Sequence, residues 1–298
     1  MSLRRVRIGM PFWSFQDWTG HLFSADARPG DRLRQYARVF NAVEGNTTFY
    51  HVPRPQTVAR WAEDTPEDFR FFFKLPRTLT HDALLDGVAG EAAAFIAGLS
   101  ELGPRLGPFM IQLPPAFGPP LWPRLAALLD ALPAEHRYAV ELRHPDFFDG
   151  GEWQQRANEE IARQGADRVI LDTRPLRDEG LDRAAAASLQ AALRAARHRK
   201  PDLPVIEEAV GVRPLVRLIG HPDPSLCEPW LVRWSERVAA WIAEGRHPTV
   251  FIHSPSNRES PALARRFVEL LSRRVDVGAL PPFLGERGET ASGQLALI

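Results

Sequence analysis

Eight short runs rich in Val, Ile, Phe and Leu recur along this chain, each followed by a longer stretch of helical pattern, and that rhythm admits few folds. The runs are RVRIGM (5–10), FNAVE (40–44), FRFFFK (69–74), PFMIQL (108–113), RYAVEL (137–142), RVILD (168–172), PLVRL (214–218) and PTVFIH (248–253). Their near-continuous apolar character is what strands covered on both faces require. Strands that alternate with helices predict a parallel sheet built from βα units. Helical patterns are expected near 30–38, 55–64, 89–102, 120–131, 151–164, 229–244 and 259–273. Pro55, Pro120 and Pro261 suit first-turn positions, where a helix start leaves its N–H groups unpaired anyway. Eight such units favour an α/β fold of the (β/α)8 TIM-barrel type over its alternative, an open doubly wound sheet.

The rhythm breaks once, between Asp172 and Pro214, where the connection is too long for an ordinary αβ loop. Its alanine-rich centre (183–198) reads as helix and RKPDLP as a breaker, giving an enlarged sixth βα unit that flanks or covers a pocket. Beyond residue 277 the chain turns rich in Gly, Pro, Ser and Glu. The expected organisation is one barrel domain over 1–277 and a flexible tail over 278–298 that ends in the apolar pentapeptide QLALI.

Composition removes several functional classes. Thirty-seven basic and thirty-seven acidic residues cancel, so no overall field draws the chain to nucleic acid or membrane. The single cysteine, Cys227, forms no internal disulfide, which fits a reducing compartment. The N-terminal residues lack the apolar run of a signal peptide and no later stretch approaches a membrane span, so a cytoplasmic location is expected. No GxxxxGK[ST], GxGxxG or GxSxG pattern occurs, leaving ATP or NAD dependence without support.

In barrels, chemistry gathers at the C-terminal ends of the strands. Reading those ends in order gives Glu44, Lys74, Gln112, Glu141 with Arg143 and His144, Asp172, Arg217 and His253. Side-chain alternation places Glu141 and Arg143 on one side of the fifth strand. Glu44, Glu141 and Asp172 are candidates for a general acid and base, because neighbouring carboxylates in a partly dry pocket push their pKa values apart. Lys74 reads as a Schiff-base amine, an anion ligand or a structural salt bridge, and Arg143 and Arg217 suit bidentate recognition of carboxylate or phosphate. Aromatic residues of the first two βα loops, Trp13, Phe15, Trp18, Phe23, Phe49 and Tyr50, either wall the pocket or pack the loops together. No resident cofactor is expected; a divalent metal, if present, would use Glu44, Glu141, Asp172 and His253.

Taken in sequence order, the Trp13–Gly20 loop, FNAVEGNTTFYHVP, FFFKLPRTLTH, QLPPAF, VELRHPDFF, LDTRP, PLVRLIGH and VFIHSP resemble the YecE-like family, domain of unknown function 72. The resemblance implies a barrel related to TIM barrels and signature positions Glu44, Thr48, Phe49, Tyr50, Lys74, His81, Gln112, Glu141, Arg143, His144, Asp172 and Arg217. It implies no established activity. Where many relatives carry an Asn-rich motif after the last strand, this chain has HSPSN, so His253 and Asn257 stand there instead. The catalytic set expected is therefore Glu44, Glu141, Lys74 and Asp172, with Trp13, Asn46, Thr48, Phe49, Tyr50, His81, Gln112, Arg143, His144, Arg217, His253 and Asn257 binding substrate.

The QLALI ending is similar to the bacterial sliding-clamp-binding pentapeptide, with Gln294, Leu295, Leu297 and Ile298 as the contact residues. Three functions stay open at this stage. The first is a hydrolase- or lyase-type enzyme acting on a small anionic or nucleotide substrate. The others are a replication or repair accessory held by the DNA sliding clamp, and a barrel that binds a small molecule without turnover.

Overall fold

The computed structural model describes residues 3–178 and 187–287 and places a strand in each of the eight expected runs. These are β1 (Arg7–Gly9), β2 (Ala42–Gly45), β3 (Arg70–Phe73), β4 (Phe109–Gln112), β5 (Tyr138–Glu141), β6 (Asp167–Asp172), β7 (Leu215–Ile219) and β8 (Thr249–His253). Between and after them run α1 (Arg32–Ala37), α2 (Pro55–Glu63), α3 (Ala89–Ala97), α4 (Trp122–Ala131), α5 (Glu152–Arg163), α6 (Ala187–Arg199), α7 (Glu228–Ala243) and α8 (Ser260–Ser272). Every strand pairing is parallel. The result is an α/β fold around a curled sheet.

The ladder is not the unbroken eight-stranded ring that the strand count leads one to expect. Six strands pair in the order β1-β8-β7-β6-β5-β4, and β2 pairs with β3 as a separate two-stranded piece. At the β1/β2 seam one backbone bond remains, from Glu44 N–H to the Met10 carbonyl at 3.0 Å, and side chains supply the rest. The Asn41 Oδ1 accepts from the Ile8 N–H at 2.8 Å and its Nδ2 donates to the Val6 carbonyl at 2.9 Å. The Tyr36 hydroxyl accepts from the Met10 N–H and donates to the Ala42 carbonyl, both at 2.9 Å. Gly9 permits this approach, since a Cβ there would lie 2.1 Å from the Ala42 oxygen. The β3/β4 seam is sparser, held where Leu75 N–H donates to the Met110 carbonyl at 3.0 Å and Gly107 N–H to the Phe71 carbonyl at 2.8 Å.

Seven strands each give one residue to a single apolar layer on the concave face: Ala42, Phe72, Met110, Ala139, Val169, Leu215 and Phe251. A second, larger core fills the space between strands and helices. Because side chains alternate along a strand, the next concave layer lies two residues further on. It reads Glu44, Lys74, Gln112, Glu141, Leu171, Arg217 and His253. An apolar floor therefore carries a polar ring.

The long sixth unit does lie over this ring. Leu171 and Ile219 pack against Leu193 and Ala196 of α6, which sets that helix across the ends of β6 and β7. Residues 278–287, expected in the flexible tail, are packed instead. Phe283 and Leu284 are buried, Leu284 and Gly285 donate to the Leu22 and His21 carbonyls, and Arg265 forms a two-point ion pair with Glu286 at 2.8–2.9 Å. Gln294, Leu295, Leu297 and Ile298 lie outside the described residues.

The seam makes a direct prediction. Asn41→Ala leaves a buried N–H and a buried carbonyl without partners, at about 1–3 kcal/mol for each orphaned group. Urea unfolding of Asn41→Ala should show a loss in that range, whereas Glu63→Ala, exposed at the end of α2, should stay close to wild type; equal midpoints for Asn41→Ala and wild type would discount the seam.

Candidate active site

Arg217 reaches across the concave face from β7 and binds two carboxylates from opposite sides. Its Nε and Nη2 donate to Glu44 Oε2 and Oε1 at 2.7 and 2.8 Å, and its Nη1 donates to Glu141 Oε2 at 2.6 Å. The other Glu141 oxygen accepts from Arg143 Nε at 2.7 Å. Lys74 Nζ donates to Gln112 Oε1 at 2.8 Å and lies 3.2 Å from Glu44 Oε1. His253 Nε2 is 3.3 Å from Glu44 Oε2 but outside hydrogen-bond geometry. Glu44 and Glu141 are 0% and 1% exposed, so this cluster is out of water.

Burial at this depth opposes every charge, and the neighbours decide which charges survive. Burial would raise the Glu44 pKa, but Arg217, Lys74 and His253 outweigh it and hold the carboxyl well below the usual carboxylate range. Glu141 is likewise opposed by burial, yet Arg217, Arg143 and Lys74 bring it down to about 2. Burial pushes the Lys74 ammonium down to about 8, helped by Arg217 and resisted by Glu44 and Glu141. Burial takes His253 down to about 4 against the pull of Glu44. Both glutamates are thus ionised at neutral pH. The expected pair of carboxylates with divergent pKa values is absent, because Arg217 is shared between them while Lys74 and Arg143 supply further positive charge.

Above the cluster opens a cavity of about 350 Å³. Its wall includes Asn46, Phe49, Tyr50, Lys74, Gln112, Arg143, Arg217, His253 and Asn257, nine positions named from sequence. It also includes Pro11, Phe12, Arg199, Lys200 and Pro201, which the sequence reading did not single out as site residues. Every charged side chain in that wall is a cation. The Lys200–Pro201 backbone is fixed in place by Thr173 Oγ1, which donates to the Pro201 carbonyl at 3.0 Å, and by Arg177 Nη2, which donates to the Lys200 carbonyl at 2.9 Å. A smaller cavity of about 170 Å³ shares Arg199, Lys200, His253 and Asn257 with it.

Other expected site residues go elsewhere. Asp172 lies one position beyond the inward Leu171, so alternation turns it outward; its oxygens take bonds from Arg174 and from Trp234 Nε1 on α7, at 2.7–3.0 Å. Trp13 packs edge-on against Trp61 and Phe71 rather than lining the cavity. Thr48 is buried, its hydroxyl within 3.0 Å of the Gly45 carbonyl and 2.8 Å of the Lys74 carbonyl, so it fixes the end of β3. His144 accepts from the Asp146 N–H, packs against Phe147 and stays outside the wall. His81 stands behind Phe49, ring centroids 5.1 Å apart, outside the wall as well. Among the described residues no group of three His, Cys, Asp or Glu side chains is placed to hold a metal ion, and none of the helices is long and apolar enough to cross a membrane. Cys227 is buried, which pushes its thiol up to about 11.

The comparisons with known proteins agree with this frame. The family described as "Protein of unknown function DUF72" matches residues 7–284. Two relatives described as "UPF0759 protein YecE", from Escherichia coli K12 and O157:H7, are each 38% identical over 277 residues, spanning 93% of this chain and 96% of theirs. Among solved structures, a DUF72 family protein of Thermotoga maritima superposes with a TM-score of 0.66 at 21% identity, covering 90% of this chain and 99% of its own. A DUF72 family protein of Enterococcus faecalis gives 0.64 at 16%, covering 93% and 98%. At those identities the two structures speak to fold alone. The family match over most of the chain, with the identity to the two relatives, means that this chain belongs to the DUF72 family.

Proposed function

We propose that this chain is an enzyme of hydrolase or lyase type, acting by proton transfer on a small substrate that carries phosphate or carboxylate. The observation that carries this reading is the all-cationic cavity wall of Lys74, Arg143, Arg199, Lys200 and Arg217 above two carboxylates already engaged. Arg143, Lys200 and Arg199 neutralise the anion, since guanidinium and ammonium donors match its oxygens. Lys74, its ammonium brought down to about 8, titrates closer to neutral pH than Glu44, Glu141 or His253, so it replaces the two glutamates as the proton-transfer group. Those glutamates hold Arg217 and Lys74 in position. On this reading the six-stranded and two-stranded pieces work as one (β/α)8 barrel, because the ring draws residues from both.

The full pairing of Glu44 and Glu141 favours a second reading, a barrel that binds an anion without turnover. Incubating the protein with a metabolite extract and following it by mass spectrometry separates the two. Turnover predicts substrates consumed and products formed by wild type but not by Lys74→Met. Ligands retained with no products would leave binding alone.

Two quantitative outcomes follow from the site. Removing one charge-assisted contact costs about 1.5–3 kcal/mol, so Arg143→Ala or Lys200→Ala should weaken binding of an anionic ligand about 10- to 100-fold by calorimetry. The second concerns pH. A lysine whose folded pKa is depressed to about 8 from 10.5 binds fewer protons folded than unfolded, so its contribution to stability rises as pH climbs through that window. The gap in unfolding free energy between wild type and Lys74→Met should therefore shift in favour of wild type from pH 8 to 10.5, and a pH-independent gap would contradict the assignment.

A further inference from the structure

The chain has thirty-five arginines and two lysines, and both lysines, Lys74 and Lys200, line the same cavity. Wherever a cation alone suffices in that wall, as at Arg143, Arg199 and Arg217, arginine is used. Arginine does not give up its proton near neutral pH, so it offers no nitrogen lone pair. A lysine kept at the cavity floor supplies what arginine lacks.

The surroundings of Lys74 suit that role. It directly follows β3 on the concave face, 5% exposed, with one N–H direction taken by Gln112 Oε1 and a second turned to Glu44. The third is left for the cavity that Lys74 lines. The Arg217 and Arg143 charges lie beside it, and the Phe49 ring centroid is 5.9 Å from Nζ. A lysine desolvated next to other cations is an activated nucleophile. Lys200, in contrast, is only partly buried and sits on the covering segment after α6.

We propose that Lys74 attacks the carbonyl carbon of an anionic aldehyde or ketone and forms an iminium with it. This rests on the reading of the cavity as an anion-binding site, and it names the substrate class. The ammonium first releases a proton. Its lone pair then forms the C–N bond while the carbonyl π pair moves to oxygen. That oxygen takes up one proton lost by nitrogen and the proton first released, and leaves as water. One ammonium and one carbonyl thus give one iminium and one water, with no net proton uptake and no change in oxidation state.

The test uses the full chain with pyridoxal 5′-phosphate, and separately with dihydroxyacetone phosphate, followed by borohydride and peptide mass mapping. Lysines are so few that Lys74, Lys200 and the N-terminus are the amines to be resolved. The expected result is a reduced adduct on the Lys74 peptide that excess inorganic phosphate suppresses in wild type. It should persist in Lys200→Arg and fall about tenfold or more in Lys74→Arg. Pyridoxine 5′-phosphate, which has no aldehyde, reports binding alone through the melting temperature. Binding of that alcohol with no Lys74 adduct from either carbonyl probe would overturn the iminium and leave the anion site standing. Neither binding nor adduct would overturn both. Adducts confined to Lys200 or the N-terminus would overturn the assignment to Lys74.

Discussion

One guanidinium organises this site. Arg217 holds Glu44 from β2 and Glu141 from β5 at once, and through them sets where Lys74, Arg143 and His253 stand. Removing such a cation would strand two carboxylates away from water, a loss of about 3–5 kcal/mol for a broken buried pair. Replacing the whole cluster with apolar residues of the same volume would cost far less, so stability alone gives no reason to keep it. What the cluster contributes is geometry. It fixes the floor of a cavity whose charged wall residues are all cations.

The same interaction changes what the carboxylates can do. Two glutamates near each other invite the pattern in which one keeps its proton and the other loses it. With Arg217 between them, each sees a cation closer than it sees the other, and both stay charged. The proton-transfer capacity moves to Lys74. Sequence alone names all three residues but not their division of labour, because that depends on which side chain lies between which.

All eight strands were legible, since each is a dense apolar run and a buried parallel strand needs nothing subtler. The ring was legible too, as the polar residue closing each run. Asp172 was misplaced for a reason the sequence already held: alternation from Val169 turns Leu171 inward and Asp172 toward α7. Trp13 was not legible, because an aromatic loop residue packs or binds according to what faces it, and here Trp61 and Phe71 do. Lys200 escaped because it follows a helix rather than a strand, in the one segment that departs from the βα rhythm. Its rarity was the available signal. Phe283 escaped because a single aromatic in a Pro- and Gly-rich stretch carries no periodicity, though it anchors residues 278–287.

The split ladder has a consequence for how the molecule coheres. Glu44 rides on the two-stranded piece and Lys74 directly follows its second strand, while Gln112, Glu141, Arg217 and His253 belong to the six-stranded one. The Arg217–Glu44 and Lys74–Gln112 contacts therefore act as clasps between two parts whose backbones share few bonds. A molecule that entered the cavity and drew Lys74 or Arg217 toward itself would be loosening the fastening that closes the sheet. Occupancy of the cavity and rigidity of the wall are two sides of one balance, and the strength of the clasps sets how much of each the protein keeps.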